Sequence, residues 1–60
     1  MFTRFFERFN EKGENEEIAI SSYGFIWRIK NEIVKSGCVE NIDEDIASLV
    51  DIGFIEVENS

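Results

Sequence analysis

The 60-residue chain has no histidine, no proline and a single cysteine, Cys38. Each absence removes a class of explanation. One thiol cannot close an internal disulfide, and without histidine it cannot assemble a structural zinc site. Ser21, Ser22 and Cys38 lack the imidazole that usually activates such a nucleophile. Acid–base chemistry is left to carboxylates, which need a pocket to split their pKa values. A chain this short seldom encloses the roughly 300 Å³ that a ligand pocket takes. No enzymatic activity, metal or cofactor is therefore expected. No apolar run approaches the ~20 residues needed to span a membrane as a helix. The N-terminus lacks a basic region followed by an apolar run, so no secretory signal is expected. A lone cysteine suits a reducing compartment, and a cytoplasmic location is expected. No repeat, low-complexity run or long linker divides residues 1–60, which read as a single domain.

Apolar and acidic residues are plentiful. There are six Phe, nine Ile and one Trp for a dense core, and the net charge is −7. That charge is unevenly placed. Residues 1–36 hold all six bases and six acids, which cancel, whereas residues 37–60 hold seven acids and no base. Asymmetry of this kind concerns partners more than fold.

Phe2, Phe5, Phe6 and Phe9 stand at i, i+3, i+4 and i+7, which predicts a helix over Thr3–Lys12 ended by Gly13. Glu16–Ile20 alternates and reads as a strand. From Ser22 to Ser36 two readings stand. As a helix, Ser22 is the N-cap, Ile26, Ile29 and Ile33 line one face, and Gly37 ends it. As a hairpin, Ser21–Gly24 is the turn and Phe25–Ile29 the second strand. The helix is preferred, and Asn31–Gly37 reads as helical either way. Asn41 or Asp43 caps a last helix with Ile42, Ile46, Leu49 and Val50 inward, Gly53 ends it, and Phe54–Glu58 alternates as a strand. The expected fold is α+β in the order α-β-α-α-β, with a two-stranded sheet packed on helices. The alternative is a β-hairpin at 16–29 followed by helices.

Asn41-x-Asp43-x-Asp45 has the start of a calcium loop, but Ile46 stands where that loop needs glycine and Ile52 where it needs a bidentate glutamate. An acidic helix start is the better reading. Asp45-Ile46-Ala47-Ser48-Leu49-Val50-Asp51-Ile52-Gly53-Phe54-Ile55-Glu56-Val57 resembles the last helix and first wing strand of winged-helix domains. That likeness implies a transcription accessory. With this helix wholly acidic, direct nucleic-acid binding is not expected, because such affinity rests on neutralising phosphates.

Two candidate surfaces remain. Glu40, Glu44, Asp45, Asp51, Glu56 and Glu58 define a negative face suited to a basic protein surface, such as the groove of a nucleic-acid-binding protein. On the helical reading, Tyr23 and Trp27 lie opposite the Ile face and form a second contact surface. The function expected is a small acidic inhibitor or modulator of the kind phages and mobile elements encode. The alternative is a homo-oligomeric assembly protein, a homodimer for example, joined through Phe2/Phe5/Phe9 or Tyr23/Trp27/Val34.

Overall fold

The computed structural model describes residues 3–58. Its elements are β1 (Arg4–Phe9), β2 (Asn15–Ser21), β3 (Gly24–Ile29), β4 (Glu32–Gly37), α1 (Ile42–Asp51) and β5 (Ile55–Val57). The strands form one antiparallel sheet in the order β4-β3-β2-β1-β5. Three successive hairpins build β1 to β4, and the chain then has to reach the far edge. Four strand spacings separate β4 from β5, about 19 Å. The 10-residue helix supplies about 15 Å of that span. It crosses one face of the sheet and leaves the other bare among the described residues.

The α+β expectation of a two-stranded sheet packed on several helices is thus corrected to a five-stranded sheet carrying one helix. Thr3–Lys12 is not a helix. Residues Arg4–Phe9 form a central strand, where Phe5 and Phe6 point to opposite faces, and Asn10–Gly13 is a turn. Phe2 lies outside the described residues. The misleading feature is chemical: alternation along β1 puts Arg4, Phe6 and Arg8 on the covered face, so the buried side does not look apolar. The Ser22–Ser36 helix is also replaced by strands. The hairpin alternative agrees with β2 and β3, but the helices expected after it do not, since 32–37 is the edge strand β4. The strand at the C-terminus pairs with β1, not with β2. No wing hairpin forms, so the winged-helix likeness does not extend to the fold.

Local chemistry explains the hairpins. Lys30 and Asn31 both adopt positive φ (54° and 66°), which closes β3 on β4 with a two-residue turn of primed type. The Asn10 side-chain oxygen accepts from the backbone N–H of Lys12 and of Glu14, both at 2.9 Å, and shapes the β1–β2 turn. Gly24 is required by close approach: a Cβ there would stand 2.7 Å from the Gly37 carbonyl oxygen. A bulge at Val34 shifts the β3–β4 register between Trp27 and Arg28. Such a bulge twists the edge away from stray pairing.

The helix itself agrees with expectation. Asn41 caps it, accepting from the Glu44 backbone N–H at 3.2 Å. Gly53 ends it at φ 101°, and the Phe54 N–H returns to the Leu49 carbonyl at 2.9 Å. Val50 is the exception, being exposed and not inward. Ile42, Ile46 and Leu49 rest on a core in which Phe6, Ile18, Ile20 and Phe54 are the apolar side chains buried outright.

Candidate functional site

Inside that core sits a polar clamp. Glu16 is 4% exposed. Its Oε1 accepts from Arg8 Nε at 3.3 Å, Arg8 Nη2 at 3.2 Å and Trp27 Nε1 at 3.2 Å. Arg8 also donates from Nη1 to the Ile52 carbonyl at 2.6 Å, and its guanidinium lies 4.5 Å from the Phe54 ring centroid. One arginine therefore joins β1, β2 and the end of α1. It brings a cation to the C-terminal carbonyls of a helix whose own last turn has no base. Every donor the carboxylate receives is structural, and the group is sealed from solvent. This clamp positions the helix.

The structure moves Trp27 out of the proposed contact surface. On β3 it faces inward, packs edge-on against Phe54 with ring centroids 5.9 Å apart, and spends its N–H on Glu16. The opposite-face reading required a helix, and in a strand Phe25 and Trp27 share the covered side. Tyr23 remains outside, 83% exposed at the tip of the β2–β3 turn.

The acidic residues divide into two groups. Glu56 is neutralised: Arg4 forks onto it with Nε and Nη2 donating at 2.7 and 2.6 Å. The hydrogen bond from Arg4 holds its carboxyl below the ordinary range. The other ion pairs among the described residues are Arg8–Glu16 and Lys30–Glu14, both within the first 36 positions. Glu40, Asp43, Glu44, Asp45, Asp51 and Glu58 are exposed and make no ion pair among the described residues. Five of these lie on α1 or at its entrance. With Ile42, Ile46 and Leu49 inward, the helical period turns Glu44 and Asp51 to solvent and puts Asp43 and Asp45 on the two flanks. Asp45 borders a half-open cleft of about 370 Å³ between α1 and β3–β4, together with Lys35, Cys38 and Ser48. Glu58 follows β5 and stands apart from the helix. Asp43, first read as a possible cap, belongs with this face; Asn41 takes the capping role and frees its carboxylate.

The sequence reading missed the bare side of the sheet. Strand register collects Phe5, Ala19, Ile26 and Val57 into one row across it. Once β1 is a strand, the Phe5-Phe6 step signals this, since adjacent residues must face opposite ways.

No described helix is long and apolar enough to cross a membrane. No group of three metal-ligating side chains occurs among the described residues. No family model matches the chain, and neither a curated protein nor a solved structure does so.

Proposed function

We propose that this chain is a small acidic protein-binding module of the cytoplasm, with the outer side of α1 as its docking face. Its partner is a basic protein surface, such as the groove of a nucleic-acid-binding protein, and docking there inhibits or modulates that protein. One observation carries the reading: no ion pair among the described residues involves a carboxylate of α1, so the acidic side chains of the helix are not spent on salt bridges within the fold. A rigid helix mounted on a sheet presents them at fixed spacing, as a phosphate-lined backbone would. Long-range attraction of this kind raises the rate of encounter and favours basic partners over others. Glu56, spent on Arg4, belongs to the fold and not to the face.

The test is capture from the host lysate by the wild-type chain and by a variant carrying Glu40→Lys, Glu44→Lys and Asp51→Lys, followed by nucleic-acid displacement on the recovered protein. The expected outcome is a partner that wild type retains, the variant loses, and about 0.5 M salt releases, because screening there acts within a few ångströms. The wild-type chain should also compete the partner off its nucleic acid. Equal retention by the charge-reversed variant would overturn the proposal.

A further inference from the structure

β1 is longer than the strand that covers its outer edge. It pairs with β2 from Arg4 to Phe9, but β5 pairs only with Phe5, Phe6 and Glu7. The chain that could have continued that pairing, residues 52–54, turns away into the end of α1. The alternation of ladder hydrogen bonds fixes where the Phe9 backbone points. The Asn10 N–H donates to the Glu14 carbonyl at 3.0 Å, towards β2, and the Asn15 carbonyl accepts from the Lys30 N–H at 3.3 Å, towards β3. Phe9 and Asn15 are therefore a pair without mutual hydrogen bonds, and the N–H and carbonyl of Phe9 face the uncovered edge. Phe9 also lines a cleft of about 830 Å³ between the β1–β2 turn and the junction of α1 with β5. Three large apolar side chains gather around it in contact with solvent: Phe9 is 71% exposed, Ile52 51% and Ile55 70%. Among the charges of the lining, Arg8 is spent on Glu16 and the Ile52 carbonyl, and Glu14 on Lys30. Glu7 and Glu11 remain against Lys12, and none of these three makes an ion pair among the described residues.

We propose that this cleft takes a short extended segment of a partner protein, in which an apolar side chain is flanked by basic ones. The segment continues the sheet where β5 stops, and its backbone pairs with Phe9. Its apolar side chain covers Phe9 and Ile55, and its basic side chains answer Glu7 and Glu11. Three observations favour this occupant. An edge N–H and carbonyl call for another backbone and not for a compact small molecule. Exposed apolar side chains grouped at one place mark a contact site. The carboxylates outnumber the base among the unpaired lining charges, so an acidic segment would set like charges together. The cleft goes beyond the docking face of α1 and works by a different means, since backbone and apolar contacts act at short range whereas the helix offers carboxylates. Ile52 follows Asp51 directly, so one partner can cover both places without a break.

Amide NMR titration of the whole chain with a capped pentapeptide of alternating lysine and leucine tests this. The control is the same peptide with serine in place of leucine, which keeps the charge. The lysine–leucine peptide is expected to shift the amides of Phe9, Gly53 and Ile55, with the Phe9 proton moving downfield as it gains an acceptor. The serine peptide should bind about tenfold more weakly or worse, and so should the leucine peptide when Phe9→Ser and Ile55→Ser are combined. Glu7→Gln with Glu11→Gln should weaken binding by a smaller factor. Glu40→Lys, Glu44→Lys and Asp51→Lys together should leave the cleft shifts in place, so failure of the helix face and failure of the cleft read out separately. Shifts confined to α1, equal binding of the two peptides, or no binding of the leucine peptide overturns the proposal. The comparison of peptides uses the wild-type chain, so it decides the matter even if the double serine variant fails to fold.

Discussion

Phe5 and Phe6 are adjacent in sequence and live in different environments. Phe6 points under α1 and is 1% exposed, with Ile18 as its register partner and the Arg4 guanidinium 5.7 Å from its ring centroid. Phe5 points to the bare side, between Ala19 and Val57. The covered face mixes apolar packing with charge, since Arg4, Arg8, Glu16 and Glu56 all belong to it, and each of those charges has a partner. The bare face has fewer charges, and Glu7, Glu17 and Arg28 make no ion pair among the described residues. Polarity alone thus does not identify the inside of this protein. Satisfaction of the polar groups does, because an ion can be covered when its partner is covered with it.

The largest contrast should come from the phenylalanines. Phe6→Ala is expected to cost about 3–5 kcal/mol by opening a cavity that the helix cannot collapse into. Phe5→Ala should cost about 1 kcal/mol or less in the monomer, because the side chain gives up only partial burial. Urea unfolding at a dilution where the chain is monomeric separates the two. Equal losses would mean that the bare face is covered within one chain.

Glutamates 16 and 17 sharpen the same comparison. Glu16→Ala strands the Arg8 guanidinium and the Trp27 N–H, and about 3 kcal/mol of destabilisation is expected. Glu17→Ala, on the bare face, should stay within about 0.5 kcal/mol. Tryptophan fluorescence should respond to the first change alone, since the indole N–H loses its acceptor.

The smallest effect concerns acid. The carboxyls of Glu56 and Glu14 are both held below their ordinary range, the first chiefly by its hydrogen bond from Arg4, the second chiefly by one from the Asn10 amide. A depressed carboxyl adds stability that is present above its unfolded value and lost as pH falls through the folded one. Stability should therefore drop from about pH 4 downward. Glu56→Gln should flatten part of that slope while slightly lowering stability at neutral pH. Glu56 is exposed and Glu14 partly so, and solvent screening keeps the effect modest. An unchanged acid limb would show that the Arg4–Glu56 pair does not hold β5 to β1 in solution.

How much was legible in the residues differs between the two halves of the chain. The stretch from Asn41 to Phe54 carries its own instructions: a side-chain cap at one end, inward Ile42, Ile46 and Leu49, and a left-handed glycine followed by a returning phenylalanine at the other. The acidic face on that helix was legible for the same reason, as far as Glu40, Glu44, Asp45 and Asp51 go. Arg4–Phe9 and Asn31–Gly37 were misread, and Phe25–Ile29 was read as a strand only in the hairpin alternative, because their evidence lies elsewhere in the chain. Phe2, Phe5, Phe6 and Phe9 have helical spacing by coincidence. Lys30-Asn31 is an unremarkable pair in sequence and a turn only in context. Trp27 reads as a surface anchor until Glu16, eleven residues away, claims its N–H.

From the sequence alone follow the bounds on chemistry, the confinement of the net negative charge to residues 37–60 and the limits of α1, because composition and capping act within a few residues. The tertiary structure decided that residues 4–37 fold as four strands joined by tight turns, which face of each strand is covered, and which acids make no ion pair among the described residues. Strand pairing and ion pairing are relations between distant residues. Arg8 at the end of α1 and Arg4 beside Glu56 gain their meaning only when β1 lies between β2 and β5.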